Sequence, residues 1–257
     1  MENSPTITVI LNAYRRPEYL REQIEAIKSQ TVKPTKIWLW VNYHRDNERI
    51  NFQYNDIDAV INSSVNFKYH GRLALALLAQ TDYIAMFDDD TIPGKRWFEN
   101  CIATEKAIGE QCILGGAGVS LNNEYYVDHR RYGWPTPSNE ITEVDLVGHA
   151  WFFPRKFLTS IWAEKPISFE NGEDIQLSYL AQKVYGAKTY CPPHPLDNKD
   201  LWSSLKAWEY GADKKASSNG SFMPIEDFYK QRDTIIRKAI DNGWIPLFMK
   251  NKDENIS

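Results

Sequence analysis

From Ile7 to Leu11 the chain carries an unbroken apolar or β-branched run, closed by the polar stretch Asn12-Ala13-Tyr14-Arg15-Arg16. A short continuous run of this kind predicts a strand buried on both faces. Pro17 suits the first turn of a helix. Leu20, Ile24 and Ile27 then recur at i, i+4 and i+7, so the spacing predicts a helix ending near Gln30. Pro34 breaks the chain, and Ile37 to Val41 predicts a second strand. Strand, helix and strand in this order imply parallel pairing through a right-handed crossover.

The stretch from Asn42 to Asn66 is polar and mixed, and its pattern predicts no element. A helix is expected from about Gly71 to Gln80, with Leu73 and Leu77 on one face. Tyr83 to Phe87 is a second buried run, bounded by Thr91-Ile92-Pro93-Gly94 and followed by a helix from about Lys95 to Ile108. Ile113 to Val119 predicts a strand interrupted by Gly115-Gly116, and Val144 to Phe153 another, closed by Pro154. Between them, residues 121–143 are turn-rich and aromatic, with Tyr125, Tyr126, His129, Tyr132 and Trp134. A long irregular segment in a compact domain is functional or disordered, and the aromatic content argues for function. Gly172-Glu173-Asp174 opens a helix whose apolar face is Leu177, Leu180, Ala181 and Val184, and Gly186 ends it. A short strand at Thr189 to Cys191, the turn Pro192-Pro193-His194-Pro195, a Ser/Asn/Gly loop at 217–221 and a helix from about Ile225 to Asp241 complete the chain. Alternating strands and helices predict an α/β fold.

Composition narrows the class. A chain of 257 residues fits one large domain, or a domain with an appendage. Its 42% hydrophobic and 25% charged residues are ordinary for a globular protein. A net charge of -4 argues against a nucleic-acid partner held by a basic surface. Nine tryptophans and 14 tyrosines supply core rings and also stacking platforms for sugars and bases. Three cysteines without metal-ligand spacing point to reduced thiols in a cytosol-like compartment. Met1-Glu2-Asn3-Ser4-Pro5 has no basic region leading into an apolar stretch, and no segment approaches the ~20 apolar residues of a membrane span. The expectation is a soluble cytoplasmic protein, in the host cytoplasm if the source is viral. The sequence sets no oligomeric state.

Chemistry concentrates at Asp88-Asp89-Asp90, directly behind the second buried run. The carboxyl ends of strands are where open α/β sheets bind ligands. Three adjacent like charges need a compensating cation or set of donors. Hard oxygen ligands suit Mg²⁺ or Mn²⁺ bound together with a substrate phosphate. The plainer reading is an acidic turn that caps the following helix.

This order of elements, with its Asp-x-Asp strand end, resembles the GT-A fold of nucleotide-sugar glycosyltransferases from about Thr6 to Pro193. The opening Thr8 to Pro17 is similar to the start of glycosyltransferase family 2, and also to the exostosin catalytic domain. Gly172-Glu173-Asp174-Ile175 matches the acidic helix start of the family. The resemblance implies a Rossmann-like, mixed but mainly parallel central sheet with helices on both faces and a helical C-terminal segment. It divides the chain into a catalytic domain over 1–200, with a nucleotide-sugar half to about 118 and an acceptor half from about 119, and an extension over 201–257.

The same resemblance implies site residues. Asp90 is the preferred ligand of Mn²⁺ or Mg²⁺, with Asp88 next and His194 a further ligand; a rigid proline turn is the plainer reading of His194. Asp88 and Asp89 also face the donor. Asn12, Tyr14, Arg15, Arg16 and Asn42 take the nucleotide, Tyr14 by stacking, and Arg72 matches an exostosin arginine near the diphosphate. Asp174, with Glu173, is the general base for the acceptor hydroxyl, against the plainer reading that acidic residues simply favour a helix start. His149, Trp151, Tyr132 and Trp134 line the acceptor cleft; for His149 and Trp151 the plainer reading is core.

The segment Val144 to Phe153 looks more like the exostosin pattern than like processive family 2 synthases. Gln231-Arg232-Asp233 does not match the Gln-x-x-Arg-Trp motif of those synthases. The expected activity is therefore non-processive transfer by a hexosyl- or deoxyhexosyltransferase, from a nucleoside diphosphate sugar (UDP-sugar favoured) to a glycan or glycoconjugate. A nucleotidyltransferase acting on sugar phosphates is the enzyme alternative, but it would want a Gly-rich phosphate loop, and Asn12 to Pro17 contains no glycine. A carbohydrate-binding protein is the non-catalytic alternative, but it predicts a small β-rich domain.

Overall fold

The structure is a computed structural model that describes residues 4–44, 57–211 and 223–254. Met1-Glu2-Asn3, much of the polar stretch after Asn42 and the expected loop at 217–221 lie outside the described residues.

Four parallel strands form one half of the main sheet: β1 (Ile7–Ala13), β2 (Lys36–Val41), β3 (Ala59–Asn62) and β4 (Tyr83–Phe87). β1 lies between β2 and β4, with Leu11 opposite Leu39 on one side and Phe87 on the other. Around these strands run α1 (Leu20–Lys28), α2 (His70–Ala76) and α3 (Trp97–Ile108). Alternate side chains of β1 explain the unbroken apolar run. Val9 and Leu11 pack with Ile24 and Ile27 of α1 and Phe98 of α3. Ile10 points the other way, into the cluster that holds Leu73 and Ala76 of α2. A parallel sheet covered on both faces requires this double burial.

The chain continues through β5 (Ile113–Leu114), β6 (Ala117–Leu121), β7 (His129–Gly133), β8 (Thr142–Val144), β9 (Leu146–Gly148) and β10 (Ala150–Pro154). It then forms α4 (Leu158–Ile161), α5 (Glu173–Tyr185), β11 (Thr189–Cys191), α6 (Ala207–Tyr210), α7 (Ile225–Asp241) and α8 (Leu247–Glu254). The main sheet has the order β3-β2-β1-β4-β10-β5-β11-β8. Only β10 and β8 run against the rest, so the sheet is mixed and mainly parallel. A second, antiparallel sheet has the order β7-β6-β9.

Two expected strands divide between the sheets. The run 144–153 breaks at His149, whose φ of +69° turns the chain from β9 in the small sheet to β10 in the main one. The run 113–119 breaks at Gly115-Gly116, where a Cβ on Gly115 would stand 2.4 Å from the Val147 side chain. Periodicity reads apolar character and not a change of sheet. β7 lies within the segment expected to be irregular, and β3, α4, α6 and α8 were not expected at all. β3 is four residues long, at the sheet edge and partly exposed, so it carries little apolar signal.

α7 lays Ile235, Ile236 and Ala239 against Ile175, Tyr179 and Leu180 of α5, with Trp244 beside them. Among the described residues no helix is long and apolar enough to cross a membrane.

Candidate active site

A cleft of about 360 Å³ opens at the carboxyl ends of the parallel strands. Asn12, Tyr14 and Arg16 reach it from the loop after β1, Asn42 from the end of β2, and Asp88, Asp89 and Asp90 from the end of β4. It continues past His149 and Trp151 to Glu173 and Asp174 at the start of α5.

The acidic turn is held from below. Gln23 of α1, fully buried, donates its amide to the carbonyls of Asp88 and Thr91, both at 2.7 Å. The Asp88 amide donates to the His149 carbonyl at 3.0 Å. The compensating charge that the triplet requires comes from three side chains. Arg16 lies 2.9 Å from Asp89 and 3.3 Å from Asp90. Arg72 lies 2.5 Å from Asp88, and its other nitrogen is 3.6 Å from Glu173. His149 Nδ1 lies 3.5 Å from Asp88 and 3.9 Å from Asp90.

These contacts separate the acids electrostatically. Burial, reinforced by the Asp90 charge, pushes the Asp89 carboxyl up to about 8 despite Arg16. Burial also opposes charge on Asp90, but the neighbouring His149 imidazole, with Arg16, overcomes it and holds that carboxyl low. Burial would lower His149, yet the nearby Asp90 and Asp88 carboxylates raise it. Burial and the neighbouring Asp174 push Glu173 up to about 8, against Arg72. Burial opposes the charge on Arg72, and Asp88 and Glu173 outweigh it, so the guanidinium stays charged.

Asp88, Asp90 and His149 each offer one ligand atom, and those atoms lie within 4.8 Å of one another. Two carboxylate oxygens and an imidazole nitrogen are a suitable donor set for a divalent cation, and the imidazole favours Mn²⁺ over Mg²⁺. His149 reaches the cluster because of its left-handed backbone, which costs a non-glycine residue about 1–3 kcal/mol. The structure does not bring His194 to this cluster. Its ring is buried, with Nδ1 against the Pro192 carbonyl and Nε2 against the Ser203 hydroxyl, each at 2.8 Å. Both nitrogens are spent on protein partners, and burial pushes its pKa down to about 4.

At the nucleotide end, the Asn42 side chain is also spent within the protein. It donates to Asn66 at 2.8 Å and to the Lys68 carbonyl at 3.2 Å, and accepts from the Phe67 amide at 3.1 Å. Asn66 in turn donates to the Tyr14 hydroxyl at 3.1 Å. Arg15 has a φ of +69° and, unlike Arg16, is not part of the cleft lining. Arg72 lies behind the wall, its guanidinium 4.8 Å from the Trp151 ring.

Neither Trp134 nor Tyr132 is part of the cleft lining. Trp134 is buried in a cluster with Ala117, Trp202 and Ala207, edge-on to His149 at 5.4 Å and to the exposed Trp208 at 4.9 Å. Tyr132 packs against the core. The described lining also includes Tyr126, from the aromatic segment expected to be functional, Asn66, Lys68, Tyr69, Asn171 and Phe228, which carry no site signal of their own in the sequence pattern, and Arg232. Arg232 bonds Asp174 at 2.7 Å. One signal for it was available: Phe228, Arg232 and Ile236 fall at i, i+4 and i+8 of α7, so an arginine sits on that helix's apolar face.

A profile of Glycosyl transferase family 2 matches residues 8–161. Two solved structures of S. aureus TarS are similar in fold, each with a TM-score of 0.52 over 73% of this chain. The one of residues 1–349 is 14% identical and 60% covered; the longer one is 15% identical and 36% covered. The chain thus spans less than two thirds of either. At such identity the likeness is one of fold, the GT-A arrangement. The exostosin-like features find no support in these likenesses. No curated protein matches the chain by sequence.

Proposed function

This chain belongs to glycosyl transferase family 2, and we propose that it is a metal-dependent, non-processive glycosyltransferase. Its donor is a nucleoside diphosphate sugar, with UDP-sugar favoured, and its acceptor is a hydroxyl of a glycan or glycoconjugate. The observation that carries this reading is the Asp88, Asp90 and His149 cluster facing Glu173 and Asp174 in one cleft. Residues 1–200 form the catalytic domain in this reading, with the nucleotide-sugar half to about 118, and 201–257 are an extension packed on it.

Asp88, Asp90 and His149 would hold Mn²⁺, or Mg²⁺ less well. Bound there, the cation supplies neutralisation of the charge that develops on the leaving diphosphate. Tyr14 stacks on the base, held by Asn66. Arg16 sits at the phosphate end, where a guanidinium can meet a phosphate oxygen. Asp89 faces the hydroxyls of the donor. Asp174 takes the proton of the acceptor hydroxyl as that oxygen bonds to the anomeric carbon. Trp151 shapes the acceptor end.

The deciding experiment is Mn²⁺-dependent hydrolysis of a panel of UDP-, GDP- and dTDP-sugars, with Asp90→Ala as control. Hydrolysis of one donor, abolished by Asp90→Ala, is the expected outcome. If no donor is bound or hydrolysed, or if Asp90→Ala changes nothing, the reading fails.

A further inference from the structure

We propose that Arg232, on the C-terminal helix α7, is the positioning residue for the Asp174 carboxylate, so that α7 completes the acceptor side of the site. The proposal rests on the reading of Asp174 as general base.

The contacts form a fork. Arg232 donates one terminal nitrogen to Asp174 Oδ2 at 2.7 Å and the other to Asn171 Oδ1 at 3.1 Å. Only 4% of the residue is exposed. Its guanidinium lies 4.0 Å from the Tyr126 ring and 5.7 Å from that of Phe228. Tyr126 is itself fixed from α7, because its amide donates to Asp233 at 2.6 Å. The planar fork therefore sits between a fixed ring and the start of α5.

A second observation places α7 there independently of charge. Gly172, the residue before α5, has a φ of +83°, and a Cβ on it would stand 2.6 Å from Ile235 Cδ1. Glycine thus supplies both the turn and the room for α7. Asn171-Gly172-Glu173-Asp174 is clamped by Arg232 through its polar atoms and by Ile235 through packing.

The clamp determines how Asp174 presents its oxygens. Oδ1 accepts the Ile175 amide at 2.8 Å and Oδ2 accepts Arg232, which together fix the plane of the carboxylate. A carboxylate has about four lone-pair sites, so each oxygen keeps one for an incoming hydroxyl. Orientation of this kind is worth a large rate factor, since a displacement of about 1 Å can cost ~10²-fold. A lysine carries the charge but not the fork.

Hydrolysis of the donor selected by the sugar-nucleotide panel tests this without a known acceptor. Water is then the nucleophile: its oxygen bonds to the anomeric carbon, the bond from that carbon to the diphosphate breaks, the nucleotide leaves with the electron pair, and Asp174 takes the proton. Arg232→Ala should lower kcat about 10²-fold, leave binding of the matching nucleoside diphosphate unchanged, and regain activity on addition of guanidinium. Arg232→Lys should fold as the wild type does, bind nucleotide, and recover only part of kcat. Unchanged kcat in both variants would overturn the assignment. So would a loss of nucleotide binding in step with kcat that guanidinium does not repair, because that marks Arg232 as a fold anchor only. A wild-type chain that hydrolyses no donor sinks the enzyme reading itself, whereas an active wild type with equally active variants sinks the role of Arg232 alone.

Discussion

His149 and Asp88 meet across the seam between antiparallel strands, with Nδ1 of the histidine 3.5 Å from a carboxylate oxygen of the aspartate. The backbone that makes this possible is left-handed, with φ at +69°. Two substitutions separate the ligand from the strain. His149→Ala and His149→Gly should weaken Mn²⁺ binding equally, by about tenfold or more, the scale on which metal sites respond to a lost supporting group. His149→Gly should nevertheless be the more stable of the two by about 1 kcal/mol, since only glycine adopts that φ freely. Isothermal titration with Mn²⁺ and urea unfolding of both variants measure the two effects. Equal stability, or unchanged Mn²⁺ affinity, contradicts the reading.

Arg72 joins the two acidic centres, since one guanidinium reaches Asp88 on β4 and Glu173 on α5. It is 2% exposed. Removing one partner from a buried ion pair leaves the other charge uncompensated and costs about 3–5 kcal/mol. Arg72→Met should therefore lower the unfolding free energy on that scale. Arg72→Met with Asp88→Asn should recover part of the loss, because the carboxylate paired most closely with the guanidinium becomes neutral. Chemical denaturation of the single and double variants reads the difference, and additive losses would mean that Arg72 and Asp88 do not interact.

Of the parallel half of the fold, β1, β2 and β4 are legible because each run obeys one rule over its full length, whereas the short edge strand β3 is not. Tyr83–Phe87 and Ile225–Asp241 fall where apolar pattern placed them. The acidic triplet was legible too, as a charge cluster at a strand end that demanded partners. The partners were not. Arg72 lies 16 residues from Asp88, and Arg232 lies 58 from Asp174, so only tertiary packing brings them together. In sequence His149 reads as acceptor wall or core, and the φ that aims it at the aspartates leaves no trace in periodicity. His194 is the reverse case: the resemblance implies a further metal ligand and the proline turn a rigid structural one, and in the structure Trp97 and Trp202 enclose it.

Asn42 was expected to touch the nucleotide, and in the structure its amide spans Asn66, Phe67 and Lys68. Through Asn66 it supports the Tyr14 hydroxyl. An indirect role predicts coupled effects. Asn42→Ala strands buried polar groups and should destabilise the chain by about 1–3 kcal/mol. It should also weaken nucleotide binding no more than Asn66→Ala does, because both act through Tyr14. Calorimetric titration of the nucleoside diphosphate checks the order. A much larger loss in Asn42→Ala would signal direct contact.

Burial keeps His194 neutral against the opposing pull of the Pro192 carbonyl, and acid should therefore strain the fold there. Its pKa lies near 4 in the folded chain, below the ordinary value of 6.5. The depressed value means that the folded state resists protonation while the unfolded chain accepts it. The stabilising contribution is complete above pH 6.5 and is lost as pH falls through about 4. At about 1.4 kcal/mol per unit, the gap amounts to roughly 3 kcal/mol. His194→Gln keeps a side chain that can donate and accept near Ser203 but does not titrate in this range. Its stability should be lower than that of the wild type at pH 7 and should fall less steeply between pH 6.5 and 4. Urea unfolding across that interval measures both slopes, and parallel curves for the two proteins would show that His194 does not govern the acid limb.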